Sequence, residues 1–104
     1  MTSALPYKLG KRAAKELKSI RKSDRVLFDK INVSIQSIRE NPLIGEAKKG
    51  DLKGYFCLDV KHMGVNYELC YTLEEDENGN IVVVVLMGPR ENFYPVLKRY
   101  LGLM

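Results

Sequence analysis

The spacing of apolar residues changes once along the chain, near its middle. Over residues 11 to about 22, Ala13, Leu17 and Ile20 recur at intervals of four and three, which lays a narrow apolar stripe along an otherwise basic helix. Ser23 or Asp24 is placed to cap a second helix that reaches about Glu40, with Leu27, Phe28, Ile31, Ile35 and Ile38 on its inner face. So short a junction predicts an antiparallel helix hairpin. Asn41-Pro42 ends it, because the residue before a proline is pushed out of the helical region. Beyond this point the period falls to two. Residues 55–60 and 67–73 alternate as half-buried strands around a turn at His62-Met63-Gly64, and Asn78-Gly79 is a hairpin turn into a third strand. Phe56, Leu58, Val60, Tyr67, Leu69, Tyr71 and Leu73 then face the helices, while Tyr55, Cys57, Asp59, Glu68, Cys70 and Thr72 face away. A short first strand is expected within residues 5–9. A last helix, with Pro95 in its first turn and Val96, Leu97, Tyr100 and Leu101 on it, is expected to cover part of the second face. The expected fold class is α+β: an N-terminal helix hairpin packed on a three-stranded antiparallel β-meander, with a C-terminal helix.

Composition narrows the class of molecule. A chain of 104 residues makes one domain. No segment approaches the roughly 20 apolar residues that span a bilayer, and residues 1–6 lack the charged and apolar regions of a signal peptide, so the reading is cytoplasmic, with no membrane partner. Cys57, Cys70 and the single histidine, His62, are too few and too far apart for a zinc cluster, and in a reducing compartment the two thiols are expected free and buried. The net charge of +4 is unevenly spread. Between Lys8 and Lys30 nine basic residues face three acidic ones, whereas residues 68–80 hold five acidic residues and no basic one. Such a basic surface suits a polyanion, or it is simply the solvated face of a lysine-rich helix.

The run Ile-Val-Val-Val-Val-Leu-Met at residues 81–87 is continuously apolar and β-branched, which marks a strand buried on both faces. Gly88-Pro89 is expected to stop it, since proline has no N–H to give a sheet. Arg90 and Tyr94 follow at once, so a permanent cation and a phenol stand at the end of a rigid element. That is a suitable support for handling phosphate.

These pieces together resemble the RelE/ParE toxins of bacterial toxin–antitoxin modules, RelE-like more than ParE-like. The resemblance is carried by Leu52-Lys53-Gly54, the strand Asn66-Tyr-Glu-Leu-Cys-Tyr71, Gly88-Pro-Arg-Glu91, Phe93-Tyr94 and Leu97-Lys-Arg-Tyr-Leu101, over roughly residues 7–101. It implies one of two activities. RelE-like members are metal-independent endoribonucleases that cut mRNA in the ribosomal A site, with no cofactor; ParE-like members poison DNA gyrase without enzymatic chemistry. A third alternative is a degenerate member that only binds its antitoxin.

For the nuclease, a ribose 2′-OH attacks the adjacent phosphorus, which requires a base, an acid for the leaving 5′-oxygen, and cations around the phosphorane. By resemblance Arg90 holds the scissile phosphate, and Tyr94 stacks on a base or takes part in proton transfer. The chain departs from RelE-like nucleases at two places. Glu68 stands where the second meander strand carries arginine, and the first strand has no lysine. Lys48, Lys49, Lys53 and Lys61 flank that strand and are candidate RNA contacts. Glu68 is either a general base, as in some relatives, or an exposed strand residue. His62 falls at a hairpin tip, where solvent-exposed turns usually carry no chemistry. The partners implied are a cognate antitoxin, whose acidic helical segment would suit the Lys11 to Lys30 surface, the ribosome with its mRNA, and operator DNA only through the antitoxin.

Overall fold

Asp24 joins the two expected helices. In the computed structural model, which describes residues 4–103, α1 (Lys11–Ser23) and α2 (Arg25–Glu40) meet at this residue, whose carboxylate accepts the Leu27 N–H at 3.1 Å and caps α2. The buried stripe of α1 is Ala13 and Leu17; that of α2 is Leu27, Ile31, Ile35 and Ile38. No helix among the described residues is long and apolar enough to cross a membrane.

The expected meander forms from β3 (Tyr55–His62), β4 (Val65–Asp76) and β5 (Gly79–Pro89), paired antiparallel in sequence order. It is the centre of a wider sheet. Two short strands, β1 (Tyr7–Leu9) and β2 (Glu46–Ala47), extend it to five strands in the order β1-β5-β4-β3-β2. β1 lies parallel to β5, with Tyr7, Lys8 and Leu9 beside Val82, Val83 and Val84, and β2 lies antiparallel to β3. Strands of three and two residues have no readable period. They form because a strand buried on both faces must also satisfy the N–H and C=O groups along its outer edge. Between β2 and β3 a single 3-10 turn covers Gly50–Leu52.

The sheet separates two apolar layers. On one side Val60, Leu69, Tyr71, Val82, Val84 and Met87 pack with the stripes of α1 and α2, joined by Phe56, Leu58, Tyr67 and Leu73. On the other, Cys57, Cys70, Val83, Val85 and Leu86 pack with Leu52 and with Phe93 and Leu97 of α3 (Phe93–Tyr100). The alternation in residues 55–60 and 67–73 therefore runs as expected, and α3 covers the second face. Both cysteines are free and buried, directly opposite one another on β3 and β4.

β5 contains a bulge. Cys70 lies opposite Leu86 but Tyr71 lies opposite Val84, so Val85 is an extra residue on that strand. Val85 and Leu86 both enter the second layer, the phase inverts, and Met87 returns to the first. Glu16 of α1 accepts the Met87 N–H at 3.1 Å just beyond the bulge. The strand also continues past its expected stop, through Gly88 and Pro89, because Pro89 sits at the last rung of the ladder opposite Tyr67, where the missing donor costs little.

His62 departs from the expected exposed tip. It ends β3 as a buried residue, and its Nε2 lies 2.8 Å from Oδ2 of Asp24. The tip falls one residue later, at exposed Met63 and Gly64, both with positive φ. One carboxylate thus caps a helix and anchors a hairpin end to it.

Candidate active site

On the α3 side of the sheet, next to the apolar layer, an open cleft of about 300 Å³ is lined by Ile44, Glu46, Lys48, Cys57, Leu58, Asp59, Glu68, Arg90 and Tyr94. β2, β3, β4 and α3 build it, together with the segments on either side of β2 and the turn after β5.

Glu68 lies at the floor, on β4 in mid-sheet, between Asp59 of β3 and Gly88 of β5. It is 3% exposed, against the expectation of a solvated strand residue. Burial, together with the Asp59 carboxylate opposite, raises its pKa to about 7, although Arg90 and Lys48 pull the other way. The bulge contributes to this setting. Without the extra Val85, Met87 and not Gly88 would fall opposite Glu68.

Arg90 leaves the end of β5 and is held by its main chain, whose N–H donates to the Asn66 carbonyl at 2.7 Å. Its side chain is largely exposed, with Nε 3.7 Å from Oε1 of Glu68. A tight turn follows, closed by the Phe93 N–H on the Arg90 carbonyl and by Asn92 in the left-handed region at the start of α3. This turn places Tyr94 in the first turn of α3, where its ring stands edge-on to buried Phe93 at 5.4 Å. Burial raises the Tyr94 pKa, so its hydroxyl keeps its proton.

Lys48 reaches the cleft from the loop after β2. Its N–H donates to the Tyr55 carbonyl, and its ammonium lies 4.8 Å from the centre of the Tyr94 ring, beside the Glu46 carboxylate. Burial works against its charge, but Glu46 and Tyr94 outweigh it and hold the pKa above that of an ordinary lysine. The segment before β2 hangs on Tyr71, whose buried hydroxyl donates to the Pro42 carbonyl at 2.7 Å and accepts the Gly45 N–H at 3.0 Å. Gly45 has to be glycine for this contact, since a Cβ there would stand 2.8 Å from the Tyr71 oxygen.

Of the residues singled out in the sequence, Arg90, Tyr94, Glu68 and Lys48 come together. Lys49 and Lys53 flank the 3-10 turn, exposed and outside the cleft lining. Lys61 is also outside it, and its carbonyl faces Lys30 of α2 at 3.4 Å. Glu46, Asp59 and Cys57 complete the lining without having been assigned chemistry. The alternation of β3 and β4 contained a signal for two of them, because it puts Cys57 and Asp59 on the face that carries Glu68. Glu46 had none. Among the described residues, no group of three or more His, Cys, Asp or Glu side chains is placed to hold a metal ion.

The fold matches bacterial toxins of known structure. The YoeB/ParE toxin from Agrobacterium tumefaciens superposes with a TM-score of 0.71 at 17% identity, over 83% of this chain and 99% of that one. A mutant of the E. coli toxin RelE in the free state gives 0.70 at 18% identity, over 98% and 100%. A YoeB dimer from Staphylococcus aureus gives 0.63 at 24% identity, over 80% and 93%. No curated protein matches the chain. The family model for the ParE-like toxin of type II bacterial toxin-antitoxin systems matches residues 8–98, and the chain belongs to that family. It is the toxin of such a module, and an antitoxin is its partner.

Proposed function

We propose that this toxin is a ribosome-dependent mRNA endonuclease needing neither metal nor cofactor, and that the RNA strand is cut in the cleft above Glu68. The observation that supports this reading most is Glu68 itself: a buried carboxyl with a pKa of about 7, beside one fixed cation and within a cleft holding a second. A base whose pKa lies near the working pH is suited to take the ribose 2′-OH proton as that oxygen attacks phosphorus. Arg90, open to solvent on one side, meets the scissile phosphate as a fork, and Lys48 adds a second positive charge for the phosphorane. Lys48 is held too firmly charged to be the acid. Tyr94 retains its proton in the cleft and gives it to the leaving 5′-oxygen, with its ring available to stack on a base. Lys49 and Lys53 extend the positive surface along the RNA backbone, and Lys61 lies farther out on β3.

Around this site the module works in the cytoplasm. Lys11, Lys15, Lys18 and Lys22 are exposed along α1 and form no ion pair among the described residues, so an acidic antitoxin segment fits that surface. Operator DNA is reached only through the antitoxin.

A second reading is a non-enzymatic gyrase inhibitor. The ParE-like family match and the absence of the second-strand arginine, where Glu68 stands, favour it. Primer extension on a reporter mRNA in a reconstituted translation system separates the two. The nuclease reading expects ribosome-dependent cuts from the wild type that disappear with Arg90→Ala and with Glu68→Gln, and weaken with Tyr94→Phe. An uncut message, together with growth arrest and inhibited DNA supercoiling, transfers the assignment to gyrase.

A further inference from the structure

We propose that Cys57 and Cys70 form a peroxide-reactive dithiol at the cleft, in which Cys57 is the nucleophile and Cys70 the resolving thiol. The mechanism above uses neither cysteine, yet their setting is not that of inert core thiols. Cys57 lines the cleft with Lys48 and Tyr94, and Cys70 lies directly across the ladder from it. Cys70, Tyr94 and the Lys48 charge favour the thiolate of Cys57 against the opposing effect of burial, whereas Cys70 is pushed upward by its neighbour and by burial. One thiol of the pair is therefore set to react and the other to remain protonated.

The oxidant must be small. Cys57 is 5% exposed and Cys70 is fully buried, so a hydroperoxide of the size of water gains access through the cleft while a bulky disulfide reagent does not. The Cys57 thiolate attacks one peroxide oxygen, the O–O bond breaks, and hydroxide leaves to give a sulfenic acid. The Cys70 sulfur then attacks the Cys57 sulfur, its proton goes to the departing hydroxide, and water leaves. In sum, two thiols lose two electrons and two protons while hydrogen peroxide is reduced to two waters.

The ladder brings the partners within bonding range. Directly opposed residues in an antiparallel pair have Cα atoms about 4.5–5.5 Å apart, inside the range a disulfide spans. Their Cβ atoms, at about 4.5–5.5 Å, are wider than the roughly 3.8 Å a relaxed disulfide prefers. A bridge here is accordingly strained and easily reduced, which suits a reversible mark in a compartment kept reducing. Oxidation draws the Cys57 sulfur away from Tyr94 and Lys48 and disturbs the groups proposed to bind RNA. That last consequence rests on the nuclease reading; the thiol chemistry does not.

The test exposes the native toxin to hydrogen peroxide, then unfolds it in N-ethylmaleimide to block the remaining thiols, and maps peptides by mass. The expected product is a Cys57–Cys70 cross-linked peptide lighter by two hydrogens and reversed by dithiothreitol. With Cys70→Ala, dimedone present as the peroxide-treated protein is unfolded should label Cys57 as a sulfenic acid, and Cys57→Ser should leave Cys70 unoxidised. Cleavage by the oxidised wild type should fall about tenfold and return on reduction. The proposal is overturned if both thiols stay alkylatable after a peroxide dose that consumes free glutathione, or if Cys70 oxidises as readily without Cys57. A cross-link in a toxin that never cuts mRNA leaves the dithiol standing and removes the nuclease reading.

Discussion

Asp59 and Glu68 are neighbouring carboxylates on one face of the sheet, yet they differ in what surrounds them. Asp59 on β3 remains exposed, while Glu68 in mid-sheet is shielded by strands on both sides and by the cleft wall. Asp59 then acts on Glu68 as a nearby like charge, adding to the effect of burial. In the unfolded chain Glu68 titrates near 4.5 and in the folded protein near 7, so the folded state binds its proton more tightly. The contribution of this group to stability is full below about pH 4.5, falls as pH rises toward 7, and then stays reduced. Glu68→Gln should therefore unfold at higher urea concentration than the wild type above pH 7, with the difference vanishing below pH 5. In single-turnover cleavage the wild-type rate should rise with pH through about 7, as a base losing its proton requires. The Gln variant should lose about 10²–10⁴-fold above pH 7, and less at lower pH, where the wild-type base is itself protonated. The position of Arg90 and Tyr94 at the end of a rigid strand was legible because Gly-Pro and the following aromatic are local signals. The burial of Glu68 was not, since alternation assigns a face without saying what covers it.

At the scale of elements, the site depends on joints between secondary structures that have no chemistry of their own. The segment that leads into β2 is tied down by one hydroxyl, that of Tyr71, on the opposite side of the sheet from Glu68, and Lys48 follows directly after β2. Tyr71→Phe keeps the ring and its stacking on Phe56, but leaves the Gly45 N–H and the Pro42 carbonyl without that partner. The expected cost is ~1–3 kcal/mol in urea unfolding, with weaker RNA binding as Lys48 loses its position. Asp24 plays the corresponding part for the hairpin. Its pKa is lowered first by the Leu27 N–H and further by His62, so the stability it provides is present above its ordinary value near 3.8 and disappears as pH falls below that. Asp24→Ala should lower the thermal midpoint at neutral pH and flatten the acid limb of the stability profile. Helices and meander strands were legible because each runs long enough to repeat its period. The pairing of β1 and β2 was not, and neither was the bulge at Val85, because short strands and a single extra residue leave no repeat to read.

Considered whole, the molecule has a basic end and an acidic end. The exposed lysines of α1 lie on the far side of the helix layer from the sheet, while Glu74, Glu75 and Asp76 end β4 at the hairpin into β5. An antitoxin that binds by charge, as proposed, takes the basic end and leaves the proposed RNA cleft unfilled. Lys15→Glu with Lys18→Glu should weaken antitoxin binding by about tenfold at low salt, and less at high salt, as screening predicts. Ribosome-free properties, thermal stability among them, should change little, because both side chains are solvated. A titration of the complex at two ionic strengths reads both outcomes.

Hydrophobic period, turn chemistry and charge spacing are local, and they were enough by themselves to determine an α+β fold, two helices before a meander, the faces taken by residues 55–60 and 67–73, and a cation and phenol at the end of a rigid strand. Tertiary structure alone decided which of those residues meet. It brought Lys48 from a distant loop to Tyr94, placed Gly88 opposite Glu68 through a bulge, buried Glu68 and His62, and aligned two cysteines thirteen positions apart. The division has a physical cause. Local preferences act over a few residues, whereas burial and charge coupling depend on the packing of segments far apart in the chain, and a carboxyl becomes a base near neutral pH only through that packing.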